Sequence, residues 1–102
     1  MPADLSHPFY PFLRNLCLKE GLIEKVLLFG SRARGDAVDV SDFDVAVVAP
    51  SLSEDAWARF VSNLRDKAPT LCHLDILRLE AVIRDALRQH ILEEGIVIYE
   101  RN

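Results

Sequence analysis

The chain has 102 residues, half of them hydrophobic, with 12 Lys and Arg against 16 Asp and Glu and a formal net charge of −4 at pH 7. That length supports one modest core, a single domain over 1–102, and leaves no room for a second, substrate-binding domain. The acidic balance and the lack of a long Lys/Arg cluster argue against direct nucleic-acid binding. No apolar run approaches membrane-spanning length, and the opening MPADLSHPFYPF lacks a basic n-region and a long apolar h-region, so a soluble cytoplasmic protein with no membrane partner is expected. Cys17 and Cys72 form no CxxC pair and read as reduced, buried thiols.

Ser6 or His7 followed by Pro8 starts a first helix, in which Phe9, Phe12, Leu13, Leu16 and Cys17 recur at helical spacing until Gly21 offers a left-handed cap. Val26 to Phe29 is a short apolar run stopped by Gly30 and fits a buried strand, with a second helix starting just past the turn. Phe43 to Val48 is rich in β-branched residues and ends near Pro50, as a central strand would. Ser53 caps a helix over Asp55 to Lys67 whose Trp57, Phe60, Val61 and Leu64 share a face, and Pro69 follows it. Leu71 to Leu79 alternates as a third strand, with Leu74 and Ile76 on one face and His73, Asp75 and Leu77 on the other. Ile83, Leu87 and Ile91 mark a last helix ended by Gly95, and Ile96 to Tyr99 closes the chain as a strand. The interleaving predicts an α+β domain with a small mixed or antiparallel sheet.

Two aspartates one residue apart on a strand project from the same face, so Asp42 and Asp44 are forced together while Phe43 and Val45 fill the core. Such a pair costs free energy unless a cation neutralises it. Asp75 is the lone acid of its strand, and if the two strands are neighbours the three carboxylates converge. An all-oxygen donor set favours magnesium or manganese, and magnesium takes substrate phosphates among its remaining ligands. Gly30 lets a phosphate approach the backbone, the Ser31 hydroxyl can donate to it, and Arg32 adds positive charge nearby. A loop-acid partner is the alternative to phosphate for Arg32 and the expected role for Arg34, Asp36 and Asp39 read as loop acids, and His73 reads as an ordinary strand histidine, with a proton acceptor beside the acceptor group as its alternative. Gly30 and Gly35 have the spacing of P-loop glycines, but Asp36 and Ala37 stand where the lysine and Ser/Thr belong, and neither GxGxxG nor GxSxG is present.

Gly30-Ser31, ten residues, then Asp42-Phe43-Asp44 resembles the signature of the polymerase β-type nucleotidyltransferase superfamily. GSRARG with SDFDVAVV is most similar to its minimal nucleotidyltransferase (MNT) group, and LDILRLEAVIRDALRQHILEEGIVIYE resembles that group's tail. The resemblance implies helices packed largely on one face of the sheet. It also implies Gly30 and Ser31 on the triphosphate of ATP, Asp42 and Asp44 on two Mg²⁺ ions (Mn²⁺ in their place), and Asp75 at the ion serving the acceptor. Phe43 replaces the aliphatic residue usual between the acids. The implied activity is transfer of AMP from ATP to a tyrosine of a helical HEPN-domain toxin, with this chain as the antitoxin. The alternatives are a non-catalytic antitoxin of the same fold and a small-molecule modifier similar to aminoglycoside nucleotidyltransferases, whose further helical domain this chain lacks.

Overall fold

The structure is a computed structural model that describes residues 3–102; the first two residues of the opening segment lie outside them. In chain order the elements are α1 (Phe9–Glu20), β1 (Lys25–Phe29), α2 (Ser31–Arg34), β2 (Phe43–Val48), α3 (Glu54–Lys67), β3 (Leu74–Arg78), a 3₁₀ turn (Leu79–Ala81), α4 (Asp85–Glu94) and β4 (Ile96–Glu100). The strands form a mixed sheet in the order β3-β2-β1-β4. β1 runs antiparallel to β2 and β4, whereas β2 and β3 are parallel because α3 carries the chain back between them.

The period-2 pattern of the strands sorts their side chains between two apolar layers. Val26, Leu28, Phe43, Val45, Val47 and Leu74 meet Phe9, Tyr10, Leu13 and Cys17 of α1 and Phe60 and Leu64 of α3. This larger layer places α1 and α3 on one face, as expected. Leu27 and Ala46 point the other way and are covered by Leu79 and Ile91, with Phe29, Val48, Leu77 and Val82 packed around them. The start of α3 follows its sequence signals: the Ser53 hydroxyl accepts from the Ala56 amide at 3.1 Å, and Glu54 and Asp55 occupy the positive first turn.

Two local expectations are corrected. β3 begins at Leu74 rather than Leu71, because the Cys72 amide donates to the Thr70 hydroxyl at 3.0 Å and holds a turn there, leaving Leu71 fully exposed. The last helix begins at Asp85, and of the three residues that marked it only Ile91 is buried; Ile83 is 90% exposed, since Leu79 and Val82 already fill the adjoining sheet surface. Gly95 ends α4 without a left-handed turn, at φ −65°; glycine is needed because a Cβ would lie 2.5 Å from the Ile91 carbonyl oxygen and 3.2 Å from the Leu27 Cβ.

Arg78 fixes the edge of this framework. Its side chain is only 11% exposed and donates from Nη2 to the Ala49 carbonyl at 2.7 Å and to the Leu52 carbonyl, with Glu80 3.5 Å from Nε. The β2–α3 connection is thereby clipped to the end of β3.

Candidate active site

The end of β1 and the starts of β2 and β3 meet at one end of the strands. Phe29 pairs with Asp44, and Asp44 pairs in register with Asp75. Phe43 and Leu74 are buried against α1 and α3, so the neighbouring Asp44 and Asp75 side chains leave the opposite face together, one strand apart. Burial raises the Asp44 carboxyl above the ordinary range, the charges of Asp75 and Asp42 raise it further, and so does a hydrogen bond with Asp75; the His73 side chain opposes the shift. Asp44 therefore feels both of the other sequence-predicted acids.

Asp42 is not itself a strand residue. β2 begins at Phe43, whose amide donates to the His73 carbonyl at 3.0 Å in the first link to the β3 side, and Asp42 stands exposed on the approach to that link. Its carboxylate still lies close enough to destabilise ionised Asp44.

Gly30 forms the facing wall. Its φ of +74° is one that side-chain-bearing residues rarely adopt, and a Cβ there would collide with the Asp44 carboxylate. Backbone and carboxylate can approach this closely only because the residue is glycine. Ser31, half-buried, opens the single turn of α2, which Gly35 closes through its amide to the Ser31 carbonyl at 3.0 Å.

Arg32 is engaged elsewhere. Its Nε and Nη2 donate to the Ser41 carbonyl at 3.1 and 2.8 Å, and Nη2 also donates to the Asp39 carbonyl at 3.2 Å. The guanidinium carbon lies 3.8 Å from the centroid of the Phe43 ring. Arg34 has the loop partner expected of it, Asp36 at 3.4 Å, and reaches Glu94 of α4 at 4.0 Å. Cys72 is half-buried rather than buried, and its thiol donates to the Asp39 carbonyl at 3.3 Å. No sequence signal pointed to the Arg32 and Cys72 contacts with main-chain carbonyls, apart from the aromatic residue between the two acids.

Among the described residues there is no ready-made cage of three His, Cys, Asp or Glu donors. The chemistry of the cluster nevertheless fits a hard divalent ion. Its donors are all carboxylate oxygens, burial and then the charges of the other two acids raise the Asp44 carboxyl, and among the described residues none of the three acids forms an ion pair. A cation would turn each of these costs into a favourable interaction.

A mixed sheet with a glycine turn pressed against paired carboxylates is the nucleotidyltransferase architecture, and the chain belongs to the polymerase β nucleotidyltransferase family, whose model matches residues 13–102. A structure described as a minimal nucleotidyltransferase is 27% identical, with a TM-score of 0.64 over 85% of this chain and 86% of that one. A toxin–antitoxin structure with AMP-PNP is 21% identical, with a TM-score of 0.71 over 91% of this chain and 74% of that one. The toxin–antitoxin MntA–HepT is 20% identical, with a TM-score of 0.56 over 89% and 73% respectively. No curated protein matches the chain in sequence.

Proposed function

We propose that this chain is an antitoxin that transfers AMP from ATP to a hydroxyl of its partner protein, a tyrosine of a helical HEPN-type toxin. The observation that carries the reading is Asp44, in register with Asp75 on one side and pressed against Gly30 on the other. That arrangement offers a carboxylate cluster and a backbone open to phosphate within one small space. The fold shared with a toxin–antitoxin structure holding AMP-PNP supports both ATP and a protein partner.

In this reading Gly30 admits the triphosphate against the backbone and the Ser31 hydroxyl donates to a phosphate oxygen. Asp42 and Asp44 would hold two Mg²⁺ ions, or Mn²⁺ in their place, with Asp75 completing the site on the acceptor side. Bound there, the ions would supply charge neutralisation at the transferring phosphorus and lower the pKa of the acceptor hydroxyl. The register of β2 and β3 fixes Asp44 and Asp75 relative to each other before substrate arrives, which limits the reorganisation needed in the transition state. The hydroxyl gives up its proton to solvent as its oxygen bonds to the α-phosphorus, the bond from that phosphorus to the β-phosphate's bridging oxygen breaks, and pyrophosphate leaves.

Co-expression with the helical partner, followed by intact-mass and peptide mapping, tests this. AMP on a partner tyrosine, absent with Asp75→Asn, is the expected result. A tight complex with no adduct would replace this reading with inhibition by contact alone, and modification of an aminoglycoside by the isolated chain would replace it with small-molecule transfer.

A further inference from the structure

We propose that Arg32 is a positioning residue that brackets Asp42 and sets its carboxylate for metal binding, rather than a ligand of the triphosphate. The inference rests on the reading of Asp42 and Asp44 as metal ligands. Asp42 lies outside the β2 ladder and is exposed, so its placement depends on its two neighbours. Arg32 holds both. Two of its donors converge on the Ser41 carbonyl, at 3.1 and 2.8 Å, and its guanidinium lies over the Phe43 ring at 3.8 Å.

The grip extends to a preformed turn. The Ser41 amide donates to the Val38 carbonyl at 2.9 Å, and the Val38 amide returns to the Ser41 hydroxyl at 2.9 Å. Arg32 and the Cys72 thiol both donate to the Asp39 carbonyl, at 3.2 and 3.3 Å, and Cys72 stands three residues before Asp75. One guanidinium therefore links α2, the loop that delivers Asp42, and the lead-in to β3.

Its side of the sheet also separates Arg32 from Asp44 and Asp75. Phe43 and Asp44 are consecutive strand residues and point to opposite faces, and Arg32 stacks on Phe43. It lines a cleft with Asp4, His7, Gly35, Val38 and Asp39, to which neither Asp44 nor Asp75 contributes. A planar fork that donates twice to one carbonyl while stacking on a ring is a task suited to arginine and not to lysine. The aromatic residue between the two acids thereby acquires a purpose, as the platform for this clamp.

The test compares wild type with Arg32→Ala, Arg32→Lys and Phe43→Leu in two measurements. In metal-free protein, amide hydrogen exchange over residues 37–42 should accelerate by about tenfold or more in Arg32→Ala, and less in Phe43→Leu. Mn²⁺ binding in the presence of AMP-PNP, followed by electron paramagnetic resonance, should weaken by about 10- to 100-fold in Arg32→Ala, the scale seen when groups that orient metal ligands are removed. Arg32→Lys keeps the charge and should recover neither; it also serves as the folded comparison if the alanine variant unfolds. Unchanged exchange in the metal-free variant would overturn the clamp. Full recovery by lysine would overturn it as well, since that is the behaviour of a simple positive charge near phosphate. Wild-type protein that binds no Mn²⁺ with AMP-PNP would instead refute the metal reading of the acids, an outcome distinct from any difference between variants.

Discussion

Replacing Asp44 with Asn should make the metal-free protein more stable and the metal-loaded protein inactive. Asp44 faces Asp75 in register on the adjacent strand, feels Asp42 as well, and is partly buried, so ionising it works against the fold. Like charges directly opposed in a sheet cost roughly 0.2–1 kcal/mol, and solvent screening at a half-exposed site keeps the value within that range. Asn is isosteric, and its amide can donate to the Asp75 carboxylate. A gain of about 0.5–1 kcal/mol corresponds to a rise of roughly 2–8 °C in Tm for a domain of this size. The sign follows from the raised carboxyl: an acid whose folded pKa lies above its unfolded value costs stability at neutral pH. That cost fades as pH falls through the folded pKa, and it vanishes below the unfolded value of about 3.9. The advantage of Asp44→Asn should therefore be full at pH 7 and shrink on acidification. Thermal melts in a chelator at several pH values, repeated with Mn²⁺ and AMP-PNP, read both halves. In the second series wild type should gain and the variant should not. A variant that melts below wild type in chelator would show that Asp44 makes a structural bond, and the repulsion argument would fail.

Gly30→Val should abolish AMP-PNP binding and destabilise the fold by about 1–3 kcal/mol, from the positive φ and the collision with Asp44; unchanged nucleotide affinity by calorimetry would leave Gly30 as a turn residue only. Arg78→Ala should cost about 2–4 kcal/mol in denaturant melts by stranding the Ala49 and Leu52 carbonyls, while Mn²⁺ affinity at the remote acids stays near wild type. In native protein Cys72 should react with a thiol reagent well before Cys17, whose thiol burial pushes up to about 12; equal rates would mean that α1 opens readily from the sheet.

Much of this arrangement is legible from the chain because its strongest signals are local. The β-branched run Phe43–Val48 is a strand over the range its residues suggest, and Ser53 caps α3 as its side chain and the two following acids require. The two acids on β2 and β3 needed one further fact, the parallel pairing that brings Asp75 beside Asp44, and pairing between distant segments leaves no periodicity to read. The same holds for Arg32, whose partners are the carbonyls of Ser41 and Asp39; main-chain acceptors have no sequence signature. Ile83 and Leu87 show the opposite limit. Helical spacing marks a stripe, but whether the stripe is covered depends on what already occupies the sheet, here Leu79 and Val82.

The central claim is that the Asp42, Asp44 and Asp75 cluster transfers a nucleotide. The most direct measurement incubates the chain with the proposed HEPN-type partner and Mg²⁺ in parallel with α-labelled and γ-labelled ATP, for wild type and Asp75→Asn. Label should pass to the partner from the α-phosphate only, with pyrophosphate released, and Asp75→Asn should lower the rate by several orders of magnitude. Transfer of the γ-label, or equal α-labelling by Asp75→Asn, would contradict it.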